Sequence, residues 1–236
     1  MIRVLQTPAP ENFELNCAQP GADWLRSPHN DNKDPHEQAA WWQAYKPHLA
    51  EAFHQRCGYL AMFITDGDVD HFLACGHRQG QPSPHRHRAF DWTNYRYADG
   101  ATNVRKGTLD DQILDPFEIE EGWFEADLHS FQIICTELVP EALRNKAQKT
   151  ITELCLNTDR RIRLLRRHFY ECYWEDPTQK AFVRLEKDAP LIALAVKKRL
   201  QAGLPLPDPN LYPVPLDPVP DRQRTYAPRP RRARAP

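Results

Sequence analysis

The sequence has no apolar run of about 18 residues, the length a membrane-crossing helix requires, and its mean hydropathy is −0.71. It also lacks an excess of one charge. Lys and Arg number 31 against 32 Asp and Glu, a net charge of −1. Overall basicity therefore gives no argument for nucleic acid, and any basic patch must be local. The six cysteines, at 17, 57, 75, 135, 155 and 172, never stand as CxxC, which argues against a four-cysteine zinc site. The opening segment carries Pro8, Pro10, Glu11, Glu14 and Pro20 instead of the apolar core of an export signal. The expectation is a cytoplasmic protein with free thiols, no disulfide framework and no membrane partner. No internal repeat and no RNA-binding signature is visible. What is present, 41% hydrophobic and 27% charged residues over 236 positions, is enough for a packed core in one or two domains.

Proline marks the organisation. Residues 204–236 hold 10 of the 22 prolines, and six arginines stand between Arg222 and Arg234. Dense proline excludes helix and central strand, so polyproline II or disorder is expected there. The arginines make either a solubilising tail or a phosphate clamp or docking peptide. The stretch from Met1 to Asp34, with Pro28 and Asn30-Asp31-Asn32, reads as mostly loop. Asp34-Pro35-His36-Glu37 reads as a helix start, with Asp34 as cap, Pro35 in the first turn and Glu37 closing a capping box. That helix should reach about Tyr45, and a second should run from Pro47 to Arg56. Apolar stretches on either side of Thr65-Asp66-Gly67-Asp68 predict a hairpin over 57–72. A polar loop spans 73–90, and short helical pieces are expected at 91–97 and 101–107. Ile113–Phe117 reads as a short strand, and 122–136 as a second hairpin turning at His129-Ser130. The stripe Leu143, Ala147, Ile151, Leu154 and the stripe Ile162, Leu165, Phe169, Cys172 predict amphipathic helices over 140–156 and 158–174. Helices near 178–187 and 189–202 complete the expected fold.

The chemistry concentrates in one constellation: Asp70-His71, then Asn94, then Asn103 nine residues later, then Lys106, an arrangement that resembles the HNH, or ββα-metal, nucleases and implies hydrolysis of a phosphodiester by water. On a strand Asp70 and His71 face opposite ways unless the strand ends there. At a strand end the carboxylate can reach a metal while the imidazole reaches a water. Oxygen donors such as Asp70 and the Asn103 amide suit a single Mg²⁺ or Mn²⁺. Neutral His71 is suited to take a proton from the attacking water, with Asn94 holding its loop by backbone hydrogen bonds. Lys106, Arg105, Arg78, His85 and His87 are the expected phosphate or nucleic-acid contacts. His85-Arg86-His87 also has the spacing of a metal pair, but Pro82 and Pro84 favour a loop in contact with phosphate or solvent. Arg160, Arg161, Arg163, Arg166 and Arg167 form either a solvated helix face or a phosphate-tracking one. The remaining cysteines and tryptophans read as core. Asp115 before Pro116 reads as a turn device.

The strings Asp70-His71-Phe72, Trp92-Thr93-Asn94, Asn103-Val104-Arg105-Lys106 and Leu114-Asp115-Pro116 resemble the HNH, or ββα-metal, endonucleases, in particular those that accompany ATPases in bacterial anti-phage systems of the Septu and retron type. The resemblance covers about residues 1–175 and is most specific over 57–117. It implies an α+β fold: an N-terminal helical arm over 1–56, an HNH core over 57–117 built on the 59–72 hairpin and the 101–107 helix, a hairpin and C-terminal helices over 118–202, and a Pro/Arg-rich tail over 203–236. It implies DNA hydrolysis as a defence effector beside an ATPase partner. Many members carry a structural zinc on two CxxC pairs, which would fall at 57 and 60 and at 99 and 102. Here those positions are Cys57, Leu60, Asp99 and Thr102, so no structural zinc is expected. The basic residues that usually follow Asp-His-Phe are replaced by Leu73-Ala74-Cys75. The alternatives are a catalytically inactive HNH-fold adaptor and an RNase using the same site.

Overall fold

The computed structural model describes residues 1–77 and 80–211. Its elements are short and mostly helical. The stretch from Met1 to Asp34 is not all loop. A π-helical turn over Glu14–Ala18 leads into helix α1, Gln19–Arg26. Pro20 occupies the first turn of α1, where its missing N–H is not needed. Gly21 lies directly beneath Phe90, and a Cβ there would come within 2.1 Å of the ring. Pro20 thus starts a helix that Gly21 lets dock.

Asp34 caps a 3-10 turn, Pro35–Gln38, by accepting from the N–H of His36. The Glu37 N–H bonds the Asp34 carbonyl instead of the Asp34 side chain, so the cap is an Asx turn and not the expected box. Helix α2, Ala39–Gln43, and helix α3, Lys46–Ala52, follow. The second predicted helix ends early because His54 and Gln55 take positive φ.

The predicted 57–72 hairpin does not form. Strand β1, Arg56–Cys57, pairs with strand β2, Met62–Phe63. Strand β3, Asp68–His71, pairs antiparallel with strand β4, Tyr95–Ala98, setting Asp70 opposite Arg96 and His71 opposite Tyr95. The Asp-Gly segment is used differently. Asp66 is held by Lys46 at 2.7 Å, and Gly67 lies against the ring of Tyr97. The chain therefore runs on to pair with β4 instead of folding back on β2. The predicted helical piece at 91–97 is a 3-10 turn, Trp92–Asn94, followed by β4. Helix α4, Gly100–Lys106, packs on β3. Ile113–Phe117 is not a strand. The Asp115 carboxylate accepts from the Phe117 N–H and from Arg96, which closes a turn.

The second hairpin forms as expected, with strand β5, Phe124–Ala126, paired to strand β6, Ile133–Cys135. Its turn is held by Asp127, which accepts from the N–H groups of His129 and Ser130. Helices α5, Glu141–Glu153, α6, Arg160–Glu175, α7, Gln179–Asp188, and α8, Pro190–Gln201, match the expected helical segments. Cys172, read from the stripe as core, is exposed.

Buried apolar side chains from Met1 to Val196 join in one hydrophobic cluster. The start of the Pro-rich segment is packed too. Tyr170 donates to the Pro207 carbonyl, and Pro209 is buried. The tail from 212 onward, with its arginines, lies outside the described residues. Among the described residues no helix is long and apolar enough to cross a membrane.

Candidate functional site

The site begins where β3 ends. His71 is the last residue of the strand, and its ring is enclosed by Trp42, Tyr95 and His36, with centroids 4.9, 5.0 and 5.6 Å away. Its Nε2 lies 2.9 Å from the Ala89 carbonyl. A carbonyl only accepts, so Nε2 carries the proton and Nδ1 the lone pair. Burial, and then the neighbouring His36, push the His71 pKa down to about 3. The ring is therefore neutral at ordinary pH.

Asn94 holds the loop around His71. Its Oδ1 accepts from the Leu73 N–H at 2.8 Å, and its Nδ2 donates to the carbonyls of Leu73 at 3.0 Å and Arg88 at 3.1 Å. The end of β3 is thus tied to the residue before Ala89, whose carbonyl orients His71.

Asp70 faces the interior. Its Oδ1 pairs with Lys106 Nζ at 2.9 Å, and its Oδ2 accepts from the Tyr59 hydroxyl at 2.6 Å. Lys106 also donates to the His71 carbonyl at 2.7 Å. Its side chain has 0% exposure, so the ammonium is a core ion-pair partner and is closed to phosphate. Tyr59 is held well above its ordinary pKa by burial and by the Asp70 charge. Next to this pair, Arg96 meets Asp115 through two parallel bonds and stacks on Phe117 at 3.7 Å. A buried, two-bonded arginine of this kind fixes geometry more than it adds stability.

Asn103 lies on α4, and its amide nitrogen is 3.5 Å from Asp68 Oδ2. This amide therefore meets Asp68, two residues before Asp70 and on the same face of β3. Arg105 is bound to Asp159. His85 Nε2 lies 3.9 Å from Asp110, and exposed His87 bonds the Pro84 carbonyl. Arg78 lies outside the described residues. The α6 arginines do not form one face. Arg163 and Arg166 are buried and donate to the carbonyls of Ser130, Phe131 and Leu156. Burial lowers the Arg166 pKa to about 9. Arg161 binds Asp99.

The four positions where zinc cysteines would fall are partly assembled. The Asp99 N–H donates to Cys57 Sγ at 3.3 Å, and Asp99 Oδ1 accepts from the Thr102 N–H and hydroxyl. Leu60 is buried. Arg161 from α6 takes both Asp99 oxygens, at 2.8 and 3.0 Å. With one thiol, whose pKa burial raises to about 11, and a carboxylate already paired, these residues do not fit a structural zinc.

Sequence reasoning missed one cluster. Ring nitrogens of His36 and His71 and the Cys75 thiol lie within 4.8 Å of one another. His71 and Cys75 are four apart and could have been paired by eye. His36 could not, because only the packing of the Pro35–Gln38 turn against β3 brings it in. No protein-family model matches the chain, and no curated protein matches it at a significant level.

Proposed function

We propose that this chain is a metal-dependent phosphodiester hydrolase of the HNH kind acting on DNA. In the resembling families such a nuclease is a bacterial defence effector beside an ATPase, and we extend that role to this chain on the resemblance alone. The observation that carries the hydrolase reading is His71. It ends β3, which pairs antiparallel with β4, the strand that leads into the helix bearing Asn103. Its ring is turned by the Ala89 carbonyl so that Nδ1 holds the lone pair. A general base needs that neutral, oriented form before water arrives.

The nearby donors are oxygens, from Asp68, Asp70 and Asn103, a set that suits Mg²⁺ or Mn²⁺. Asp68 and Asn103 already meet, and Asp70 joins them only if Lys106 releases it. When bound, the cation supplies positive charge to the scissile phosphate and the leaving oxygen. The chain's own part is to receive the water proton at His71 Nδ1 and to hold the ring through Ala89 and Asn94. A base with a pKa of about 3 is too weak for this at neutral pH. The hydrolase reading therefore requires that substrate entry hydrate the pocket and raise the proton affinity of His71.

A second reading rests on Asp70 and Lys106. A carboxylate already neutralised by a buried ammonium is what an inactive HNH-fold adaptor would keep for structure. The two readings separate in one experiment. The full chain is incubated with supercoiled plasmid, linear DNA and RNA, with Mg²⁺ or Mn²⁺, with and without any co-purifying ATPase and nucleotide. Metal-dependent nicking of DNA supports the hydrolase. Retention of DNA without cutting under every condition supports the adaptor, and cutting of RNA alone replaces the substrate.

A further inference from the structure

We propose that His36, His71 and Cys75 form a binding site for a borderline-soft divalent cation of the Zn²⁺ class, separate from the oxygen donors around Asp68. One nitrogen from each ring and the Cys75 sulfur lie within 4.8 Å of one another. A tetrahedral zinc with bonds of about 2.0–2.3 Å places its donors roughly 3.5 Å apart. The cluster therefore closes on an ion by small side-chain rotations.

The second argument is what stands behind the ligands. A histidine that binds metal through one nitrogen normally donates its other N–H to a carboxylate or a backbone carbonyl, which fixes the tautomer. Both rings do this. His36 Nδ1 lies 2.8 Å from Asp34 Oδ1, and His71 Nε2 lies 2.9 Å from the Ala89 carbonyl. Lone pairs are left on His36 Nε2 and His71 Nδ1. Asp34 is itself fixed, accepting from the backbone N–H groups of His36 and His77 at 2.9 Å each. Gly76 lets the loop after Cys75 close over this pair, since a Cβ there would come within 2.8 Å of the His36 ring.

The donor set selects the ion. Two imidazoles and a thiolate favour Zn²⁺ or Co²⁺ over Mg²⁺. His71 and Cys75 are buried, while the His36 side chain is 53% exposed, so an ion enters from the His36 side. Three protein ligands leave the fourth position to water. Binding converts the Cys75 thiol to thiolate and releases its proton to solvent. An ion here takes the His71 lone pair, so occupancy and proton transfer by His71 exclude each other. The site itself is independent of the hydrolase reading, because its occupancy is read without DNA.

The test is a Co²⁺ titration of the full, reduced chain without nucleic acid. The expected result is one Co²⁺ per chain, with a sulfur-to-cobalt charge-transfer band, tetrahedral visible absorption and stoichiometric displacement by Zn²⁺. Cys75→Ser should lose the charge-transfer band, and Cys57→Ser should keep it. His36→Gln, at a half-exposed position that leaves folding intact, should weaken binding at least tenfold. Asp34→Asn should weaken it about 10-fold or more. Absence of the band in the wild type overturns the site. So does a band that survives Cys75→Ser, one that vanishes in Cys57→Ser, or affinity unchanged in His36→Gln.

Discussion

At the residue scale, the molecule is organised by two buried ionisable groups in consecutive positions. Asp70 is paired with Lys106, and His71 is neutral and oriented. Removing the partner of Asp70 leaves a carboxylate in the core with only Tyr59 to satisfy it. Lys106→Met should therefore destabilise by about 3–5 kcal/mol. Adding Asp70→Asn in the same chain should recover a large part of that loss, as read from urea midpoints. His71 gives a pH prediction. Its folded pKa, about 3, lies below the value near 6.5 of an unfolded histidine. Between those values the unfolded chain binds the proton and the folded one does not. Stability is thus fully present above about pH 6.5 and falls as pH drops toward 3, by about 5 kcal/mol at most. His71→Gln should flatten the stability profile across that window. An unchanged profile would mean that the ring is not the buried neutral group described.

At the element scale, short pieces are held in place by single residues. α1 docks because Gly21 has no side chain beneath Phe90. Gly21→Ala should cost about 1–3 kcal/mol by overpacking, with part recovered in Gly21→Ala/Phe90→Leu, measured by thermal denaturation. Around Cys57 and Asp99, where the zinc cysteines would fall, the expected order is packing before charge. Arg161 is half exposed where it meets Asp99, and such pairs contribute about 0–1 kcal/mol. Leu60 is fully buried, so Leu60→Ala should cost about 2–5 kcal/mol and Arg161→Ala less than about 1 kcal/mol. The reverse order would make the ion pair the replacement for the missing cysteines.

The elements also show what the sequence can convey. The C-terminal helices are legible because their stripes have a fixed period and each buries one face. The 122–136 hairpin is legible because Asp127 and Ser130 carry turn chemistry. The β3 partner is not legible. Asp66-Gly67 has the local form of a hairpin turn, but Gly67 is spent on letting Tyr97 approach, and pairing goes to a strand more than twenty residues away. The same distance hides Lys106. Its place after Asn103 reads as an exposed basic position, and only the fold of α4 onto β3 turns it to Asp70. His71 and Asn94 are legible as a pair because the asparagine amide ties the loop ends on either side of the ring. Asn103 reads as a partner of Asp70, but its amide meets Asp68 instead.

At the scale of the whole molecule, one hydrophobic cluster carries the arm, the β3–β4 pair and the C-terminal helices. The histidine pocket is built by three separate segments at once. Trp42 comes from the arm, Tyr95 from β4 and Ala89 from the loop. A ring oriented by such distant segments is sensitive to the global fold, so on the proposed hydrolase reading activity and stability should be lost together in most core variants. Variants at His71 itself are the exception. Plasmid nicking with Mg²⁺ or Mn²⁺ by the wild type beside His71→Ala, with circular dichroism and Mn²⁺ binding followed on both, tests the proposed role of His71 most directly. The wild type should nick and His71→Ala should not, with the fold and Mn²⁺ affinity largely unchanged. Equal nicking by His71→Ala would contradict that role.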